Sequence, residues 1–159
     1  MKKTLLLFAF LSIITFGLNA QVARIGSTNY YALANAFNAV RNGETIVLLS
    51  NVTQTSQITI NRAISFVVDG NGKSITRNAN ITVFNVSAAS KVTFQNTTFL
   101  RGSSASTGTS YRMFYLQDSK KAKLTLKNCK SSDYNTLYVG TTDTVNIDGG
   151  TFSGTYLGV

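Results

Sequence analysis

Pairs of apolar residues separated by a single residue recur along most of this chain, as an imperfect repeat at a period in the solenoid range. Ile58/Ile60, Phe84/Val86, Phe114/Leu116, Leu137/Val139 and Leu157/Val159 form one set, with successive members 26, 30, 23 and 20 residues apart. A second set follows each of the first four after a short gap: Ile64/Phe66, Val92/Phe94, Leu124/Leu126 and Val145/Ile147. A third position follows again, Phe99, Ser131 and Phe152, each seven residues after Val92, Leu124 and Val145. Alternation with period two marks a strand with one buried face. Its return at a coil-length period marks a repeat in which each unit buries that face only against its neighbours. Three short strands per unit make one coil, and coils stack roughly 4.8 Å apart. The expected fold is therefore all-β, a right-handed parallel β-helix (solenoid), the hand following the crossover preference of parallel strands. An antiparallel sandwich or barrel explains the strands and turns but not the coil-length period.

Before the repeat begins, the period is helical. Leu33, Ala36, Phe37 and Val40 share one face, Asn29 or Thr28 is placed to cap the start, and Gly43 is placed to end it. The spacing predicts a capping helix over 30–42 and a first strand over 45–49, within an N-terminal cap of residues 21–50. Coils then occupy 51–159. A polar loop at 102–110, Gly-Ser-Ser-Ala-Ser-Thr-Gly-Thr-Ser, is inserted between them and reads as flexible. Asp69-Gly70-Asn71-Gly72, Asn96-Thr97, Asn128-Cys129 and Asp148-Gly149-Gly150 close successive units. Asn96, Asn128 and Gly149 fall at equivalent places, and Asn tolerates left-handed geometry and bonds along a stack.

Lys2 and Lys3, the apolar run Leu5–Phe16 and the small residue Ala20 have the layout of an export signal over residues 1–20. The run falls short of the roughly 20 residues a spanning helix needs, and no later segment is long enough to cross a membrane. Removing that signal leaves 13 basic and 6 acidic residues, a formal charge of +7. Leu157-Gly158-Val159 begins another coil with no capping unit after it. The expectation is a solenoid truncated at its C-terminal end, open to further coils or to another chain.

The stretches Ala23-Arg24-Ile25-Gly26, Tyr30-Tyr31-Ala32-Leu33-Ala34-Asn35-Ala36-Phe37 and Asn42-Gly43-Glu44-Thr45-Ile46-Val47-Leu48-Leu49 resemble the N-terminal cap of bacterial surface β-helix proteins. Ile58 to Phe66, ending at Asn71-Gly72-Lys73-Ser74-Ile75, resembles the first coil of that pectate-lyase-like family. The resemblance covers most of residues 23–99. Two departures are Ala32, where a capping Ser or Thr is common, and the long stretch Val67 to Gly72. The resemblance implies the fold, and it implies little about activity, since such coils carry lyases, hydrolases, adhesins and plain stalks.

The chemistry-bearing residues are few. The chain has no His, which removes the usual general base and the commonest metal ligand. Its acids are Glu44, Asp69, Asp118, Asp133, Asp143 and Asp148. Asp118 and Asp143 follow equivalent strands and can share an edge. Each Asp otherwise reads as a turn residue bonding its own backbone. No carboxylate cluster for a lyase or hydrolase is visible, and nothing calls for a cofactor or a metal. The single cysteine, Cys129, aligns with Thr97 and Gly150 and reads as a buried structural thiol.

Two groups are candidates for binding. Tyr115 and Tyr138 are the central residues of two first-set triplets, so they point outward one above the other, as a sugar platform or as an aromatic ladder that stabilises the sheet. Lys120, Lys121, Lys123, Lys127 and Lys130 form a basic run, in which Lys123 and Lys127 share an outward face with Thr125. They suit an anionic polymer, or they are a solvated face. The function expected is a non-catalytic secreted or cell-surface β-helix module: an adhesin, a stalk or a binder of polysaccharide or host glycan. The alternative is a fragment of a polysaccharide lyase or glycoside hydrolase with its active coils elsewhere. Specific nucleic-acid binding ranks last, because aromatic and basic residues do not interleave along one groove.

Overall fold

The computed structural model describes residues 20–108, 110–153 and 156–158. The export signal expected over 1–20 lies outside them except for Ala20, as does Val159. Strands make up 47% of the structure, and they wind into a β-solenoid of about four turns with parallel sheets.

The cap comes first. Strand β1 (Ala23–Ile25) turns at Gly26 (φ 56°) and pairs antiparallel with β2 (Thr28–Tyr30). Helix α1 follows, and it spans only Leu33–Ala39. The expected helix over 30–42 is therefore too long at both ends. Thr28 and Asn29 are taken by the hairpin, and the N-cap is Ala32, which has no side-chain oxygen to offer. At the other end Asn42 Oδ1 accepts the Ser65 N–H, and the Gly43 N–H goes to the Ser65 carbonyl, so both belong to the sheet and not to the helix. Leu33, Ala36 and Phe37 are the buried face of α1.

Each coil then contributes to three rows of strands. Row A is β3 (Thr45–Leu48), β6 (Ser65–Asp69), β9 (Lys91–Gln95) and the first halves of β12 (Lys123–Ser131) and β14 (Thr144–Phe152). Row B is β4 (Val52–Gln54), β7 (Ser74–Arg77), β10 (Thr98–Arg101) and the second halves of β12 and β14. Row C is β5 (Ile58–Ile60), β8 (Phe84–Val86), β11 (Phe114–Leu116), β13 (Asn135–Tyr138) and β15 (Tyr156–Gly158). Because β12 and β14 run through the corner, rows A and B form one sheet.

Inward side chains fall in vertical files. In row C, Ile58, Phe84, Phe114 and Leu137 are in direct register, as the repeat requires. In row A the file is Phe66–Val92–Leu124–Val145 beside Val68–Phe94–Leu126–Ile147. The second set is thus displaced by two residues in its first member: Phe66 and Val68, not Ile64 and Phe66, match Val92 and Phe94. The period is two, so a slip of two keeps every side chain on its face and leaves no trace in the pattern. Row B has a longer file than expected, Val52–Ile75–Phe99–Ser131–Phe152.

Phenylalanines from three rows and the helix meet at the centre. Phe84 stacks on Phe114 at 5.2 Å, Phe94 meets Phe114 edge-on at 5.0 Å, and Phe99 meets Phe114 edge-on at 4.9 Å. Phe37 of α1 closes the near end against Phe66 and Phe84 at 5.7 and 5.2 Å.

Row A turns into row B at one left-handed residue. Asn96 (φ 51°), Asn128 (φ 49°) and Gly149 (φ 72°) occupy that corner in successive coils. An ordinary L-residue loses roughly 1–2 kcal/mol there. Asn96 and Asn128 also bond along the stack: Asn128 Nδ2 donates to Asn96 Oδ1 at 3.1 Å, and Asn96 Nδ2 to Asp69 Oδ1 at 3.3 Å. The next residue points inward, and in the fourth coil it is Cys129, over which Gly150 fits because a Cβ would strike the Cys129 carbonyl.

The files set the stability of the coil. Phe114→Ala is expected to cost about 3–5 kcal/mol in urea unfolding, because Phe114 is fully buried among three rings. Ile147→Ala, at the half-exposed top of its file, is expected to cost less than about 1 kcal/mol. Equal losses would mean that the two files do not differ in packing.

Candidate binding site

The outward file of row C is Thr59, Asn85, Tyr115 and Tyr138, in direct register. Tyr115 points outward because its neighbours Phe114 and Leu116 point in. The two tyrosine rings lie 5.0 Å apart and 46° from parallel. The Arg112 guanidinium lies over both, 5.3 Å from the Tyr115 centroid and 4.8 Å from that of Tyr138. Thr82, Ser110, Arg112, Tyr115 and Tyr138 line a shallow cleft of about 290 Å³. A cation over aromatic faces is attracted by the ring quadrupole. The cleft therefore combines two aromatic faces, a cation and the aliphatic hydroxyls of Thr82 and Ser110. Arg112 had no signal in the sequence: it lies before β11, outside the alternation that places Tyr115.

The cleft depends on residues 102–108 of the inserted loop, and these are tied down where the sequence suggested flexibility. Arg77 Nη2 donates to the Ser106 carbonyl at 3.1 Å, and Arg101 Nη1 donates to the Ala105 carbonyl at 2.9 Å. Asn78 and Asn80 accept the Ser104 and Ser106 N–H groups at 3.1 and 2.7 Å. Asn135 Nδ2 donates to the Thr107 and Gly108 carbonyls at 3.2 and 2.7 Å. Ser110 and Arg112 follow directly, so these ties set where the cleft wall stands.

Behind the loop is a buried ion pair. Arg77 Nε and Nη2 donate to the two Asp133 oxygens, each at 2.7 Å, and both side chains are fully buried. Asp133 was expected to be a turn residue. It does accept the Asn135 N–H at 3.4 Å, but its main partner is Arg77, 56 residues earlier. Arg77 ends row B in register with buried Gln54, so the inward file turns polar there, while Arg101, next in register, is exposed. Alternation places Arg77 inward, but nothing in the sequence names Asp133 as its partner.

Asp118 and Asp143 both lie beside Gly140, and each holds a backbone N–H: Asp118 that of Thr141 at 3.1 Å, Asp143 that of Ala122 at 2.7 Å. Glu44 holds the Arg41 N–H at 2.7 Å. Asp69 accepts from Gln95, Asn96 and Asn71. Burial pushes its carboxyl upward, but those three bonds outweigh it and hold the group below the ordinary carboxylate range. Among the described residues no three His, Cys, Asp or Glu side chains are placed to hold a metal ion.

Lys123 and Lys127 are both exposed on the outer face of row A, with Thr125 between them. The register separates their surroundings. Lys127 stands beside Asp148 and Gln95, whereas Lys123 stands beside Lys91 and Thr144. Lys130 is exposed on row B, and Lys120 and Lys121 lie in the turn before row A. The basic run is thus divided among separate surfaces. Cys129 is buried, its Sγ 3.4 Å from the Phe94 carbonyl and 3.5 Å from that of Lys127, and burial pushes its thiol up.

Two outcomes follow. Asp133→Asn leaves Arg77 buried without its counter-charge, so it is expected to cost about 3–5 kcal/mol in urea unfolding and to open residues 102–108 to limited proteolysis. The apolar double variant Arg77→Met/Asp133→Leu recovers most of that stability but leaves the loop cleavable, because the tie to Ser106 is gone. For Cys129 the folded pKa lies above the unfolded one, so its contribution is complete below the unfolded value and is lost as pH rises through the window between them. The thermal midpoint is expected to fall from about pH 8.5 upward, and the fall to be smaller in Cys129→Ala.

No family model matches the chain, and no curated protein or solved structure is significantly similar to it.

Proposed function

We propose that this chain is a non-catalytic module of an exported or cell-surface β-helix protein, of the pectate-lyase-like kind its cap resembles, that holds a saccharide on the Tyr115–Tyr138 platform. The observation that carries the reading is the pair of outward rings 5.0 Å apart with the Arg112 guanidinium over both. The apolar face of a sugar ring packs on aromatic faces, while its hydroxyls exchange bonds with Ser110 and Thr82. The platform sits on a strand row fixed by the core, so little ordering remains to be done on binding. An export signal at the N-terminus is consistent with meeting extracellular glycans.

Five of the six carboxylates support the non-catalytic reading by what they do, and the sixth, Asp148, stands beside Lys127 on the outer face of row A. Glu44, Asp69, Asp118 and Asp143 each accept a backbone N–H, and Asp133 is consumed by Arg77. A hydrolase of this fold needs two carboxyl groups facing one bond, roughly 5–10 Å apart across an open cleft.

A glycan array probed with the chain tests the proposal. At least one glycan is expected to be retained, with Tyr115→Ala, Tyr138→Ala and Arg112→Ala each weakening it by roughly tenfold, the loss of one good ring or cation contact. An array with no retained glycan, or retention indifferent to all three substitutions, reduces the platform to a sheet-stabilising ladder. Release of unsaturated or reducing sugar from polyuronides by the chain would transfer support to the lyase or hydrolase reading.

A further inference from the structure

The outer face of row A carries a like-charge pair that the structure does not neutralise. Lys91 on β9 and Lys123 on β12 stand directly opposite each other across a parallel pair, and both are exposed. Strands in a sheet lie roughly 4.8 Å apart, and like charges placed directly opposite destabilise the pairing. The remaining members of that file are Ser65 on one side and Thr144 on the other, which supply hydroxyls and no charge. Two residues along, Thr93 and Thr125 form a second register pair, and Lys91, Val92, Thr93, Lys123 and Thr125 line a depression of about 220 Å³.

The acids that could compensate are elsewhere. Asp69 and Asp148 lie in the register of Gln95 and Lys127, four residues along the row from Lys91 and Lys123. At roughly 3.3 Å per residue that is about 13 Å, beyond the screening length of about 8 Å at physiological salt. Asp143 precedes Thr144, but its carboxylate turns into the bend: Oδ1 takes the Ala122 N–H and Oδ2 is buried. The only ion pair among the described residues is Arg77–Asp133, on another row.

We infer that Lys91 and Lys123, with the hydroxyls of Thr93 and Thr125, form an anion-binding site that takes the sulfate or carboxylate groups of an acidic polysaccharide. Two ammonium groups at strand spacing offer charge-assisted donors to one anionic group or to neighbouring ones, and the threonines complete the donor set. A polysaccharide fits this face better than a single-stranded nucleic acid does, because none of the described residues lining the depression is an aromatic that could stack a base. Lys123 is shared with the basic run visible in the sequence, but its working partner is Lys91, 32 residues earlier, and not Lys127. The site is on a different row from the tyrosine platform and does not rest on the reading given to it.

Binding of the full chain to immobilised heparin, polygalacturonate, neutral dextran and a single-stranded DNA oligomer tests the site. The first two probes separate sulfate from carboxylate. Binding to one or both is expected, with none to dextran. Lys91→Gln/Lys123→Gln is expected to weaken it roughly tenfold and to flatten its salt dependence. Lys120→Gln/Lys130→Gln removes the same charge from exposed positions outside the site and is expected to change binding less than about twofold. Tyr115→Ala/Tyr138→Ala leaves polyanion binding in place, so loss of the platform and loss of this site are distinguishable. All four lysines are exposed, so the variants are expected to fold, and Lys91→Gln to melt slightly higher at low salt as the repulsion is relieved. Equal weakening by the two lysine double variants overturns the site in favour of diffuse charge. So does failure of both acidic polysaccharides to bind, or DNA binding that is tighter and equally dependent on Lys91 and Lys123.

Discussion

Everything in this molecule depends on one coil lying in register on the next. No coil can bury its own inward side chains: Phe84 is covered because Phe114 stacks on it and Phe37 closes the space below. The interior is a set of vertical files, and each file is dry only when the neighbouring coils are present. The backbone ladders hold the register, and the apolar files make that register favourable over any odd-numbered slip, which would turn a whole strand's buried face to water. Phe94, Phe99 and Phe114 come from three different rows, so their contacts also lock the rows against one another.

The outer surface inherits its order from this interior. Tyr115 and Tyr138 stand one above the other because Phe114 and Leu137 do, and Lys91 stands opposite Lys123 because Val92 is level with Leu124. Residues far apart in sequence become neighbours along the stacking direction, while residues close in sequence are divided among different faces. The five lysines between Lys120 and Lys130 illustrate this division, since a run that reads as one basic patch is spread over two strand rows and a turn. Charge density in a linear sequence is therefore a poor guide to charge density on a solenoid.

The same principle explains what could be read in advance and what could not. The rows, the third-position file and the Asn96–Asn128–Gly149 corner were legible because alternation and period are local signals that repeat. The tyrosine pair was legible for the same reason. The helix ends were not, because Thr28 to Tyr30 satisfy a hairpin that only the fold creates. The two-residue displacement in β6 was hidden by the symmetry of a period of two. The Arg77–Asp133 pair, the ordering of 102–108 and the placing of Arg112 have no periodic signal at all, because each is a single long-range contact. Irregular polar structure is invisible where the method of reading is periodicity.

That irregular part is also where the fold buries charge. A buried ion pair recovers its desolvation cost only with excellent geometry and extra hydrogen bonds, and apolar replacement is often no worse. Arg77 meets that demand with two bonds to Asp133 and further bonds to the Ala79 and Ser106 carbonyls. The Ser106 bond is the informative one, because it spends a buried guanidinium donor on a loop that lies outside the repeat. A plain stalk gains nothing from an insertion so firmly fixed, since coils stack without it. A recognition surface does gain, because the fixed loop leads directly to Ser110 and Arg112 and so presents a preformed wall to the two tyrosines. On the proposed reading, Arg77 and Asp133 are positioning residues that touch no ligand, and their buried pair is what holds the cleft in one shape.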